Sequence, residues 1–366
     1  MRSRWLAVVM LAASCAPFAL GQEYQIARPG YTFAFPRDYF SHEEYQTEWW
    51  YYTGNVKSAD GHRFGFELTF FRQGVSRGAR SGPWFVRDLW MAHMALSDIS
   101  GQRFLHEERL NRAGPGVAGV DAQSGVVWNG NWQARVGERE EELRGVGDKF
   151  GLALKLRPVK QPVIQGQNGA SQKAEGSGHA SHYFSVTRLL TAGSIEVEGK
   201  RYQVEGTSWI DHEFFTGSMA ANEAGWDWLS IQLGDGAELM LYRLRHKDGS
   251  IDPYSSGSYV DAGGRAQFLL GRDFVMTPAA GAADSWTSPA TKATYPVRWH
   301  VSIPRLKMEL DVSTPLRSQE LAGKFGTSYW EGAIDVAGAR DQSPLGGVGY
   351  LEMTGYAETG EPVIPR

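Results

Sequence analysis

The stretch Glu48-Trp49-Trp50-Tyr51-Tyr52-Thr53-Gly54-Asn55-Val56, followed by Asp60-Gly61 and then His62 to Arg72, decides the fold class. Aromatic and β-branched residues on both sides of an Asp-Gly turn specify a β-hairpin. In the return strand Phe64, Phe66, Leu68 and Phe70 share one face, while Arg63, Glu67 and Thr69 take the other. One face of the hairpin is therefore buried. Trp50 and Phe66 are expected to line an apolar cavity inside a barrel built from these strands.

Similar units recur along the chain. Leu89 to Leu110 turns at Asp98 to Gly101, Ser194 to Ser208 turns at Glu198-Gly199-Lys200, and Trp226 to Arg245 turns at Gly234-Asp235-Gly236. Tyr295 to Val312 and Ser328 to Tyr356 complete the pattern, and no stretch joins a 3.6-residue apolar period to helix caps. The class is all-β. With 366 residues, 13 Trp and 44 Gly, the chain has the length for two cores and the composition of closed or sandwiched sheets.

The halves resemble each other. Trp226-Asp227-Trp228 opens a hairpin as Glu48-Trp49-Trp50 does, and aligning the copies sets Tyr329 at the place of His182 and Glu358 at that of Asp211. A duplicated barrel follows, with its polar chemistry expected in the first copy. Three segments read as loops: Arg72 to Pro83, Pro162 to Gly178 and Met276 to Ala290. The middle one is long enough to be either a functional flap or a surface insertion.

A net charge of -4 without a Lys/Arg run excludes nucleic acid as a partner. Arg2 and Arg4 precede an apolar run from Trp5 to Ala13, which marks an export signal over residues 1–21, cut after Ala19-Leu20-Gly21. The alternative is a lipoprotein anchored through Cys15. As this is the sole cysteine, the mature chain has no disulfide, and the expected location is periplasmic or secreted.

The densest polar signal is Trp209-Ile210-Asp211-His212-Glu213-Phe214-Phe215. On a strand Asp211, Glu213 and Trp209 point one way and His212 the other. A carboxyl beside an indole in an apolar site loses hydration, so its pKa rises and it becomes a proton donor near neutrality. The plainer alternative is a carboxylate capping a turn or pairing with an arginine. His179, His182, Asp211 and His212 are the residue types that could ligate a metal, but His-x-x-His on a strand splits across two faces, so neither a metal nor a cofactor is expected. His93 reads as a core histidine or a ligand contact, and Ser177 lacks a nucleophile-elbow context.

Glu48 to Gly54, Gly65 to Arg72, His93 to Asp98, Trp209 to Phe214, Tyr329 to Gly332 and Gly349 to Tyr356, taken in order, resemble the AttH and carotenoid 1,2-hydratase family. The resemblance implies two tandem lipocalin-like barrels, over residues 22–216 and 217–366. Within that family some members hydrate the terminal double bond of acyclic carotenoids, and others are exported proteins linked with ABC transporters. Carried over by position, the catalytic acid falls on Asp211 and a site histidine on His182. Phe184 and Trp209 stand where the hydratases have tryptophan and tyrosine, and this departure, with the export signal, argues against a carotenoid substrate.

Two functions are thus expected as alternatives. In the first, Asp211 protonates an isolated alkene, His182 orients or deprotonates water, and Trp209, Phe184 and Trp50 face the cation. In the second, the protein carries an apolar small molecule or lipid, or a lipidated protein, to an ABC transporter complex, with peripheral membrane contact. A hydrolase using Asp211, Glu213 and water is a third reading.

Overall fold

The computed structural model describes residues 23–77, 85–114, 116–217, 220–326 and 328–357. The export signal, Cys15 and Glu358 lie outside the described residues. The fold is two tandem antiparallel barrels, the first nearly closed and the second a half-barrel. In the first, a 13-stranded sheet runs from Arg103–Arg112 through Asp88–Asp98, Arg63–Gly74, Thr47–Ser58, Lys200–Phe215 and Ala180–Val197, then back through Phe150–Pro158 to Ala118–Asp121. The second, of ten strands, centres on Glu238–His246, Glu223–Leu233, Ser343–Met353 and Tyr329–Arg340. Helical structure among the described residues is confined to short 3-10 turns, and none of their helices is long and apolar enough to cross a membrane.

Strand alternation does the rest. Trp50, Tyr52, Phe64, Phe66, Leu68, Phe70 and Phe184 all turn inward, fully buried, into one continuous apolar core. Gly54 sits on that inward face because a Cβ there would lie 2.5 Å from the Phe66 ring. The first barrel is therefore filled by its own side chains. This corrects the expected cavity inside it: these six large rings, on alternate positions of their strands, occupy the space a ligand would need. The second half has its own packed core around Trp299, Trp330, Tyr295 and Leu351.

The outward residues of the same strands are not solvated. Tyr51, Tyr183 and Trp209 of the first half pack with Trp228, Tyr242, Ala333 and Tyr350 of the second. Lys160 and Arg188 both grip the buried Glu238 carboxylate at 2.6 Å across this seam. Close approach is possible because residue 65 is glycine: a Cβ there would lie 2.7 Å from the Ala333 Cβ. Gly65→Ala is expected to cost about 1–3 kcal/mol, since neither neighbour is the free end of a long side chain. Thermal unfolding of the variant beside the parent measures it.

Candidate functional site

The cavity, of about 310 Å³, lies between the barrels. Registry explains its composition. Asp211 pairs with Tyr51 on one side and Ser185 on the other, and Glu213 with Trp49 and Tyr183. Tyr51 in turn pairs with Thr69, and Thr69 with His93. These outward positions form one polar and aromatic face of the first barrel, against which the second barrel sets Trp226, Trp228, Tyr242, Tyr329, Glu331 and Glu352.

Asp211 is 4% exposed. Its Oδ1 accepts from the Ser185 hydroxyl at 2.5 Å and the Trp209 indole N–H at 2.6 Å, and its Oδ2 accepts from the Tyr183 hydroxyl at 2.5 Å. Burial pushes its pKa up to about 7, against the downward pull of those three donors and with a smaller upward push from the neighbouring Glu213 charge. Oδ1 has two donors and Oδ2 one, so Oδ2 is the better-placed oxygen for the proton of the neutral acid, the Tyr183 hydroxyl then turning from donor to acceptor. Beside it the Lys173 ammonium lies 2.9 Å from Glu213 and over the rings of Tyr183 and Tyr242. Lys173 comes from the long middle loop, parts of which pair with the Ala180–Val197 strand as Val163–Ile164 and Ser171–Gln172. That segment helps to wall the site.

The second half contributes acids. Glu331 accepts from the Tyr51 hydroxyl, and Glu352 accepts from the Trp226 indole at 3.1 Å. Burial, with Glu67 nearby, pushes Glu352 up to about 8 and Glu331 well above the ordinary range, and burial pushes Glu67 up to about 7. The expectation that polar chemistry belongs to the first half alone is corrected. The two halves meet face to face, and each supplies carboxyls to the seam.

Of the residues singled out from sequence, Asp211, Trp209 and His93 stand at this face. His93 lines the cavity, with Nδ1 2.6 Å from the Tyr329 hydroxyl, and burial holds it neutral with a pKa lowered to about 3. His182, Phe184, Trp50 and Phe66 are on the opposite face of the sheet. His182 pairs with Phe214 rather than Asp211, bonds the Gly169 carbonyl at 2.7 Å and stacks on Tyr31. The reason is parity: Ser185 and Tyr183 share Asp211's side, so the residues between and before them cannot. The same parity divides His179, Asp211, His182 and His212, the first two lining the cavity and His212 pointing into the barrel.

A separate buried cluster closes the end of the first barrel. His42, Glu48 and His212 bring potential ligand atoms within 4.8 Å of one another. The donor set does not fit a metal. His42 places one ring nitrogen 2.8 Å from Glu48 and the other 3.2 Å from Asp38, and despite burial these carboxylates raise its pKa to about 9. It is an imidazolium with no lone pair to give. Arg72 also occupies Glu48, at 3.0 Å, and reaches Asp88 at 3.2 Å. The cluster is an ion-pair network.

A family description, AttH-like, matches residues 26–356, most of the chain. The chain belongs to the AttH-like family. The AttH resemblance drawn from motifs alone is thereby confirmed. A crystal structure of a candidate AttH from Nitrosomonas europaea is 32% identical, covers 91% of this chain and 100% of its own, and superposes with a TM-score of 0.80. Kievitone hydratase from Nectria haematococca, at 15% identity over 93% of this AttH-like chain and 97% of its own, shares the fold with a TM-score of 0.68. CghA does so at 13% identity over 86% of this chain and 90% of its own, with a TM-score of 0.53. No curated protein sequence matches the AttH-like chain significantly.

Glu67, Ser185, Tyr183, Lys173, Glu331 and Glu352 were missed from sequence. Alternation alone sets Glu67 on the face opposite the Phe64 to Phe70 rings, where a charged residue ordinarily meets solvent. The available signal was the company it keeps: Trp49, Tyr51, Phe71 and Met91 share its face, and a solvated face seldom carries so many large apolar groups.

Proposed function

We propose that this protein is an exported hydratase-type lyase that binds an apolar ligand between its barrels and adds water to an isolated double bond. The observation carrying this reading is Asp211, a buried, cavity-lining carboxyl whose proton is retained to about pH 7. An isolated alkene is not attacked by water until a proton has been added to one carbon, leaving a cation on the other. In this scheme Asp211 supplies that proton, water captures the cation, and the proton that the resulting oxonium sheds returns to the Asp211 carboxylate, which restores the acid. One water is consumed and one alcohol formed. His182 has no part in it, being across the sheet.

Trp49, Phe71, Met91, Phe215 and Leu244 give the cavity apolar walls to hold the substrate and exclude bulk water. A hydratase built on the same fold supports the reaction class. Those walls also favour a second reading, in which the protein only carries an apolar ligand, handing it to a transporter complex outside the cytoplasm. The carrier needs the walls and not the acid.

Mass spectrometry of lipophilic compounds that co-purify with the protein, before and after incubation in ¹⁸O-water, separates them. Label in the ligand as a hydroxyl is expected. A ligand retained without label would leave the carrier and remove the lyase.

A further inference from the structure

Glu331 and Glu352 are direct cross-strand partners, on one face, at the cavity wall. Like charges set opposite one another destabilise a sheet, and burying a carboxylate without a partner costs several kcal/mol. Yet among the described residues neither forms an ion pair. The cations that line the same cavity are committed elsewhere, Lys173 to Glu213 and Arg72 to Glu48 and Asp88.

A second observation is independent of the charge count. Glu331 is 1% exposed and its Oε2 has no hydrogen-bond partner, and the fully buried Glu67 likewise leaves its Oε2 unpartnered. Tyr329, whose hydroxyl stands 3.4 Å from Glu67 Oε1, lines the cavity between the two barrels' acids. Around them are Tyr51, Trp226, Trp228 and Tyr329. Aromatic faces attract a desolvated cation through the ring quadrupole, and a carboxylate's full charge attracts it more strongly.

We propose that this wall is a cation-recognition subsite, in which Glu331 and Glu352 receive the ammonium group of a small amphiphilic amine whose chain lies along Trp49, Phe71 and Met91. A bound ammonium would let the pair ionise without mutual repulsion and supply the missing partner for Glu331 Oε2. In its absence the acids hold protons, in keeping with their raised pKa values. A volume of about 310 Å³ admits a small amphiphile and not a peptide or a folded partner. The inference rests on the cavity being the ligand site, and not on Asp211 acting as an acid.

Octylamine and 1-octanol have the same chain and differ in charge. Calorimetric titration of each into the mature full-length protein at about pH 8 is expected to give affinity at least about tenfold higher for the amine. Glu331→Gln with Glu352→Gln should bring the two ligands within about threefold by weakening the amine alone. If that pair of changes prevents folding, the single isosteric Glu331→Gln should still narrow the gap. Equal affinity in the parent protein would overturn the cation subsite and leave the apolar ligand site standing, and an amine preference that survives the substitutions would overturn it too. Failure of both ligands to bind would overturn this inference together with the cavity reading.

Discussion

Asp211→Asn is expected to lower turnover by about 10² to 10⁴-fold, the usual contribution of a positioned general acid. The amide fills the same space and still accepts from Ser185 and Trp209, so unfolding temperature and ligand retention should stay close to those of the parent. What it lacks is the proton. Sign and range of the pH dependence follow from the same group: because the folded-state pKa is raised to about 7, the active protonated form persists below that value and disappears above it. Turnover in the parent should therefore fall about tenfold for each pH unit beyond neutrality. Single-turnover label incorporation across that range measures it, and a rate that is flat from about pH 6 to 9 would remove Asp211 from the acid role.

The second large effect concerns stability. Arg72→Met should destabilise the first barrel by about 3–5 kcal/mol, because Glu48 and Asp88 would keep their charge in a place where water cannot replace the lost guanidinium. Arg72 also donates to the carbonyls of His42 and Tyr45 at 2.9 and 2.8 Å, tying the segment before the first strand to the barrel end. Urea unfolding followed by tryptophan fluorescence reads the change. Combined with Glu48→Gln, the loss should be smaller than the sum of the two single losses, since each removes the reason the other is needed.

Much of the fold is legible in the sequence because it depends on local parity. The alternation of Phe64, Phe66, Leu68 and Phe70, the Asp60-Gly61 turn and the repeated hairpins give strands and their buried face, and both concern residues a few positions apart. The site is harder. Whether Asp211 faces a barrel lumen or the gap between two barrels depends on which side of a sheet is inside, and alternation is silent on that. Trp50 and Tyr51 are equally aromatic, and only closure of the barrel sends the first into a core and the second to the cavity. Lys173 was concealed differently: it lies in a stretch rich in Gln, Gly and Ser whose composition reads as a surface loop. The acids of the second half were hidden by the opposite effect, since Glu331 and Glu352 sit among Gly, Ala and aromatic residues without any run or spacing that marks a site.

The hydrogen bond from Tyr51 to Glu331 and the pairing of His93 with Tyr329 join residues more than two hundred positions apart across the seam. After a gene duplication the two copies of a domain are ordinarily free to drift separately, each answering only to its own core. Here that freedom has been surrendered on one face of each copy. A substitution at Tyr51 changes the setting of Glu331, and one at Tyr329 changes that of both His93 and Glu67, so the two halves must be inherited and altered as a pair. Shuffling either half onto a foreign partner would lose the chamber between them.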